Sequence, residues 1–459
     1  MKLNQNIIDM EYAVRGRIPI RAAELRRQGR KTIPCNIGNP QALGQKPITF
    51  YRQVLSLLEE PNRIKIERNN QDSHLSDYVL DYAENFLEKM ETGMGAYTDS
   101  KGPLFIREAV AKYIDARDAK SPEGILHANP EHIFLTDGAS EGAKNVLELL
   151  ITATEDGIMI PIPQYPLYSA TIQRCGGTQV NYYPDEENGW TLDREELQRS
   201  CDEATANGVN IKAVVVINPA NPTGAILDRD SIKQVVEFSL ENRLAIIADE
   251  VYQENLYGGE FISFASAVKG TDVPLFSLHS ASKGFYGECG HRGGYLEVRN
   301  LPQVDDNNIP FIDVLFKQAS VNLCSNTVGQ ALMYLIANPP EIESEQYQQF
   351  IHERQSILDD LFDKATMVRS AFDEMEGVEC FGKTGAMYLF PRLNILPKDT
   401  GDFEYCMTLL EKTGLTTVNG SGFGQKKGTH HLRFAFLPPK EMLERVLPEW
   451  IAFHKNYIR

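Results

Sequence analysis

Residues Lys212–Tyr252 read KAVVVINPANPTGAILDRDSIKQVVEFSLENRLAIIADEVY, and this run decides the fold. It opens on five apolar residues, Ala213–Ile217, too short for a buried helix and right for a buried strand. A turn with two Asn-Pro steps follows, Asn218–Gly224. SIKQVVEFSLE then has helical periodicity, and LAIIA supplies a second apolar strand ending at Asp249. Short apolar strands separated by amphipathic helices indicate a mostly parallel sheet covered on both faces.

The alternation continues outward in both directions. HIFLT (132–136) precedes DGASEGAKNVLELL, GIMIPIPQYPLY and QVNYY follow, and LFSLHSASK lies beyond LAIIADEVY. In parallel α/β sheets ligands sit at the carboxyl ends of strands, where loops begin. Several polar groups occupy such positions. Asp137-Gly138-Ala139-Ser140 opens a helix after HIFLT, where free N–H groups suit a phosphate, although a plain helix cap reads equally well. Asn221 is an amide that a rigid turn can present, and simple turn chemistry is the alternative. Asp249 ends an apolar strand and needs a cationic partner. Asp249 and Tyr252 could also be a capping aspartate and a core tyrosine.

Ser280–Tyr295, SASKGFYGECGHRGGY, supplies the reactive group. One lysine, Lys283, stands among small residues and hydroxyls, with Arg292 nine positions on. Lysine is the residue used for Schiff bases with carbonyl compounds. Ser280, Ser282 and Arg292 could hold a dianionic phosphate, the arginine through a forked contact. An aldehyde-binding lysine beside a phosphate clamp points to pyridoxal phosphate. Asp249 would then face the protonated pyridine nitrogen, and Tyr252 could reach the phenolate oxygen. Each signal is weak singly; their order, strand context and chemistry match one cofactor.

Composition narrows the function classes. A chain of 459 residues suggests two domains of unequal size. The net charge of −17 argues against binding nucleic acid. No run is apolar enough to span a bilayer, and the start does not read as a signal peptide. The seven cysteines are scattered singly with no CxxC pair, which argues against a disulfide framework or a zinc site and for a reducing, cytoplasmic setting.

The expected organisation is an N-terminal arm with part of a small domain over residues 1–50, a large domain over 51–340 and a small C-terminal domain over 341–459. The first 30 residues are polar and Arg-rich, as an arm or helix lying on a partner would be. Thr49–Leu58 is helical with Thr49 placed to cap it. A second helix carries apolar residues at Leu104, Ile106, Val110 and Ile114. A long polar helix over about 341–375 leads to AMYLFPRL, FEYCMTLLEKTG and the strand HLRFAF. On that strand Leu432, Phe434 and Phe436 share one face and Arg433 the other.

NPANPTG, DEVY, SASK followed by an arginine, and the late LRF resemble the class I aminotransferases, which are fold-type I pyridoxal-phosphate enzymes, over nearly the whole chain. NIGNPQALGQKPITFYRQV (36–54) and SKGFYGECGHRGGY (282–295) resemble the alanine aminotransferase subgroup. Most class I relatives place the arginine eight residues after the lysine; nine is typical of the subgroup. The resemblance implies a mostly parallel seven-stranded sheet flanked by helices, with a smaller α+β domain built from both chain ends.

It also implies residue roles. Lys283 forms the Schiff base with the cofactor and moves the substrate proton. Asp249 pairs with the pyridine nitrogen, and Asn221 and Tyr252 hydrogen-bond the phenolate oxygen. Tyr165 stacks on the ring. Ala139, Ser140, Ser280, Ser282 and Arg292 hold the phosphate. Tyr97 reaches the phosphate of the neighbouring subunit, which makes the protein a homodimer. Arg433 binds the substrate α-carboxylate, Asn221 also borders the substrate, and Gly38 lies in the substrate loop. The implied reaction is ping-pong transamination between L-alanine and 2-oxoglutarate, giving pyruvate and L-glutamate. An alanine or glutamate:glyoxylate aminotransferase shares the pattern, although the C-terminal NYIR is not a peroxisomal address. A decarboxylase or lyase on the same fold and a non-catalytic cofactor-binding regulator are the more distant readings.

Three features lead elsewhere. GSGFG (420–424) lacks dinucleotide-binding spacing and context. His430 and His431 point to opposite faces of a strand and read as structure, not metal ligands. His291 and Cys289 lie near the lysine without a required role.

Overall fold

The structure, a computed structural model, describes all residues except 11–15, 122–123, 304–307 and 398–399. Its central sheet is mixed and has seven strands. In chain order these are β1 (Ile133–Asp137), β2 (Asp156–Pro161), β3 (Thr178–Tyr182), β4 (Asn210–Ile217), β5 (Ala245–Asp249), β6 (Leu275–Ser280) and β7 (Gly293–Arg299). The chain forms two compact units that interleave along the sequence. Each unit collects segments distant in sequence.

One unit comprises Met1–Gly44, Leu147–Ile262 and Asp359–Arg459. Here β2 pairs with β3 and β4, and β4 with β5, all parallel. The five apolar residues Ala213–Ile217 and the whole of β5 are buried, as strands covered on both faces must be. The intervening helix, Arg229–Asn242, starts where the Asp228 side chain accepts the Ser231 N–H and ends at Arg243 in the left-handed region. Asp156 anchors the start of β2. Burial would raise its pKa, but hydrogen bonds from Thr152 and the charge of Lys212 hold it down to about 2.

Both chain ends meet in this unit. Ile33–Pro34 pairs in parallel with Leu415–Thr416. The strand β8 (Leu432–Ala435) is antiparallel to Tyr388–Leu389 and to Val418–Asn419. The N-terminal helix Arg17–Arg27 buries Ile18, Ala22 and Leu25, and Arg21 pairs with Glu411 at 2.5 Å. Thus the helix expected to lie on a partner finds a surface on its own unit; residues 11–15 of that arm lie outside the described residues.

The other unit comprises Gln45–Val146 and Ser263–Leu358. Its three strands are antiparallel, with β7 paired to both β6 and β1. This strand, GGYLEVR, was absent from the strands read in the sequence because its two leading glycines look like loop. Helices Thr49–Glu59, Leu104–Asp118 and Thr327–Ala337 pack Val54, Leu58, Ile106, Val110, Ile114 and Leu332 into one apolar core. Leu104 departs from the expected face and is exposed. Thr49 is the first helical residue rather than the cap. Glu353 supplies the cap instead, accepting from Thr49 N at 2.8 Å and Oγ1 at 2.6 Å.

Among the described residues no helix is long and apolar enough to cross a membrane, and no His, Cys, Asp or Glu cluster could hold a metal.

Candidate active site

Functional side chains collect at the carboxyl ends of strands in each unit. In the unit holding β1, β6 and β7, they form an anion cradle. The first strand ends at Asp137, and Gly138 turns the chain at φ +78° into the helix Ala139–Leu150. Glycine is favoured there by that left-handed backbone, and a Cβ would also displace Arg292, standing 2.4 Å from its Nη2. Arg292 Nη2 donates to Ser140 Oγ at 3.1 Å and to Asp137 O at 3.0 Å, while Nη1 donates to Cys289 O at 3.1 Å. Ser280 Oγ accepts from Ser282 N at 3.1 Å, and the two serine hydroxyls lie 2.9 Å apart. Two hydroxyls, a guanidinium and the N–H groups of a helix start are the donor set a phosphate dianion requires. Ala139 and Ser140 are the first two residues of that helix.

Lys283 lies in the turn that leaves β6 and is half-buried. Gly284 and Gly287 follow it at φ +63° and +62°, and Gly287 N donates to Lys283 O at 3.2 Å. The nine-residue spacing to Arg292 has a physical counterpart. Cys289–His291 forms a short 3-10 turn, and Arg292 leaves it in the left-handed region at φ 56°. Asn326 ties the cradle together in a way the sequence did not reveal. Its N and Nδ2 donate to Asp137 Oδ1 at 2.8 and 2.7 Å, and its Oδ1 caps the helix Thr327–Ala337 through Gly329 N.

The unit holding β4, β5 and β8 presents the second set. Asp249 ends β5, is nearly fully buried, and accepts from the Tyr168 hydroxyl at 2.9 Å. Burial, with the Asp249 charge, pushes the Tyr168 phenol well above its ordinary range, so it remains a donor. Tyr252 is buried with its hydroxyl 3.3 Å from that of Tyr388. Burial first, then Tyr388, raises its pKa well above the ordinary value, so it too stays protonated.

The Asn218–Gly224 turn contains cis peptides before Pro219 and Pro222. Gly224, at φ +72°, passes so close to the Tyr388 carbonyl that a Cβ would lie 2.3 Å from its oxygen. That approach brings the turn beside Arg433. Asn221 Oδ1 accepts from Arg433 Nη1 at 3.0 Å, and Arg433 Nη2 donates to Asn36 O at 2.7 Å. The guanidinium lies over the rings of Tyr388 and Phe423, at 4.2 and 4.8 Å from their centroids. Arg433 is 2% exposed, and its buried Nε has no hydrogen-bond partner among the described residues. Such a cation, with no carboxylate partner among the described residues, has the chemistry to receive one.

Tyr165 is half-buried at the N-cap of the helix Pro166–Cys175. Gly38 is half-buried two residues beyond Asn36. Tyr97 is 76% exposed. The sequence reading missed Tyr168, Tyr388, Asn36, Phe423 and Asn326. Tyr168 alone had a signal, as the second tyrosine of QYPLY at helical distance from the first.

The decoys resolve as structure. His431 is buried between Gln425 and Glu186, at 2.9 and 2.8 Å, and stacks on Phe390. Ser421 of GSGFG is pinned by the Asp402 carboxylate.

Known proteins resemble this chain in sequence and in fold. The chain is 41% identical to a probable mitochondrial alanine aminotransferase of Dictyostelium discoideum, covering 99% of this chain and 88% of the relative. It is 40% identical to glutamate–glyoxylate aminotransferase 2 of Arabidopsis thaliana, covering 99% and 95%. A solved structure of alanine aminotransferase from Pyrococcus furiosus shares the fold at TM-score 0.80 and 24% identity, covering 99% of this chain and 100% of that one. Residues 68–448 match the family described as aminotransferase class I and II. By this match and by relatives about 40% identical over nearly its whole length, the chain belongs to the class I and II aminotransferases, enzymes of fold-type I that depend on pyridoxal phosphate.

Proposed function

We propose that the protein is an alanine aminotransferase that carries the amino group of L-alanine to 2-oxoglutarate in a ping-pong sequence. The observation that carries this reading is Arg433, a buried guanidinium held by Asn221 and Asn36 with its Nε unpartnered among the described residues. Its fork suits the α-carboxylate common to both substrates. The similarity to alanine aminotransferases over 99% of the chain supports the choice of amino acid.

Pyridoxal phosphate, when bound, supplies an aldehyde for the amino group and a ring that draws electrons from Cα. The chain's residues do the rest. Lys283 provides the amine that holds the aldehyde and, once displaced by substrate, takes the proton from Cα as general base. Asp249, oriented by Tyr168, is the anion for the pyridinium nitrogen. With its Oδ1 engaged by Arg433, Asn221 offers its Nδ2–H to the phenolate oxygen, as Tyr252 offers its hydroxyl. Tyr165 stacks on the ring. Ala139, Ser140, Ser280, Ser282 and Arg292 hold the phosphate. Gly38, in the loop that contributes the Asn36 carbonyl, borders the substrate. Tyr97 reaches the phosphate site of a second copy in a homodimer; its exposure in the single chain supports that role.

A second reading, glyoxylate as the preferred acceptor, is favoured by the similarity to the Arabidopsis enzyme. Steady-state rates with L-alanine as donor separate the two. We expect kcat/KM for 2-oxoglutarate to exceed that for glyoxylate by about tenfold or more, the worth of one extra carboxylate contact. The reverse order would replace the proposed acceptor.

A further inference from the structure

We infer that Glu288 is a positioning residue, setting the loop between Lys283 and Arg292 for cofactor binding. The inference rests on the reading that these two residues hold pyridoxal phosphate. Glu288 stands midway between them, and its side chain is 2% exposed. Its Oε2 accepts from Arg52 Nη2 at 2.9 Å and lies 2.9 Å from His291 Nδ1. Arg52 belongs to the helix Thr49–Glu59; His291 immediately precedes Arg292. One carboxylate thereby fastens the second half of the loop to a helix of the same unit.

The backbone completes the clamp. Glu288 N donates to Ala281 O at 2.9 Å, and His291 N donates to Glu288 O at 3.1 Å. Cys289 Sγ donates to Ser282 O at 3.0 Å. The first contact closes the loop around Lys283, and the second builds the turn from which Arg292 departs at φ 56°. An arginine held in the left-handed region needs its surroundings to hold it there. The clamp therefore supports the conformation that lets the longer lysine-to-arginine spacing still deliver Arg292 to Ser140.

Burial makes the carboxylate informative. Glu288 Oε1 is buried with no hydrogen-bond partner among the described residues, an arrangement that costs stability. An apolar side chain could fill the same space without that cost, but it could not join Arg52 to His291. The gain from glutamate is therefore orientation rather than packing.

The test uses the full-length protein, stripped of cofactor and titrated with pyridoxal phosphate while the visible absorbance band is followed. Glu288→Ala is expected to raise the dissociation constant by about tenfold or more, the size of a lost charge-assisted hydrogen bond. It should also move the pH midpoint of the visible band by about half a unit or more, as changed electrostatics at Lys283 would. Glu288→Gln, which keeps an oxygen for Arg52, should recover much of the affinity. His291→Ala, at a partly exposed position, should weaken binding in the same direction. Asp156→Ala, which removes the anchor at the start of β2 without touching the loop or the Arg52 helix, should lower the thermal midpoint and leave cofactor affinity and the band's pH midpoint unchanged. The inference is overturned if Glu288→Ala binds within about twofold of wild type with an unmoved midpoint. If that variant does not fold, the same result with His291→Ala overturns it. A wild-type protein that forms no visible band would instead remove the cofactor reading beneath it.

Discussion

Lys283→Ala is expected to lower kcat for alanine transamination by at least about four orders of magnitude, the combined loss of a covalent anchor and a general base. The loss should be chemical, not structural. The turn is held by main-chain hydrogen bonds, Ala281 N to Gly293 O at 3.0 Å and Glu288 N to Ala281 O at 2.9 Å, which the substitution leaves in place. Neither Arg292 nor the serines depend on the lysine side chain for the contacts described above. The variant should therefore fold with a thermal midpoint close to wild type and retain affinity for the cofactor through its phosphate. The visible band of lysine-bound cofactor should be missing from its spectrum. Near wild-type turnover would contradict the role of Lys283 outright.

Arg433→Ala carries the second large effect. Removing one member of a buried, hydrogen-bonded charge contact costs about 2–5 kcal/mol, so kcat/KM for L-alanine should fall by about 30- to 5,000-fold. The loss should fall mainly on KM, because the contact is made to substrate and transition state alike. Both donor and acceptor should suffer, since each carries an α-carboxylate. Arg433→Lys should recover only part of the loss: a point charge replaces a planar fork stacked between Tyr388 and Phe423. The Asn221 contact also vanishes, so a modest change in the cofactor spectrum should accompany the kinetic effect. Unchanged apparent affinity for L-alanine would assign the carboxylate to another group.

Much of the fold was legible because its buried strands are written as pure apolar runs. AVVVI and LAIIA cannot be satisfied at a surface, and both are buried strands in the sheet. The antiparallel β7 was not legible, since Gly293 and Gly294 suit a strand here only because backbone packs against them; a Cβ on Gly294 would lie 2.7 Å from the Gly138 carbonyl carbon. The capping of the Thr49–Glu59 helix was misread for a related reason. Thr49 is a good cap by type, but Glu353, 304 residues away, accepts from the Thr49 N–H and from its hydroxyl instead.

The candidate site divides in the same manner. Residues that follow strands within short motifs, Asn221, Asp249, Ser280, Lys283 and Arg292, could be picked out from order and spacing. Their supports could not. Asn36 acts through its carbonyl, which carries no sequence signature, and Tyr388 and Phe423 matter as ring faces beneath a guanidinium. Tyr168 gains its role only because its hydroxyl donates to Asp249, a contact that sequence order does not show. Tertiary contact, not local chemistry, decides such roles.

The most direct measurement is an absorbance scan of the cofactor-loaded protein before and after L-alanine is added with no keto acid present. The account predicts that the visible band disappears, an ultraviolet band of aminated cofactor replaces it, and about one pyruvate appears per active site, as a ping-pong half-reaction requires. A visible band that L-alanine leaves untouched, with no pyruvate formed, would contradict the account.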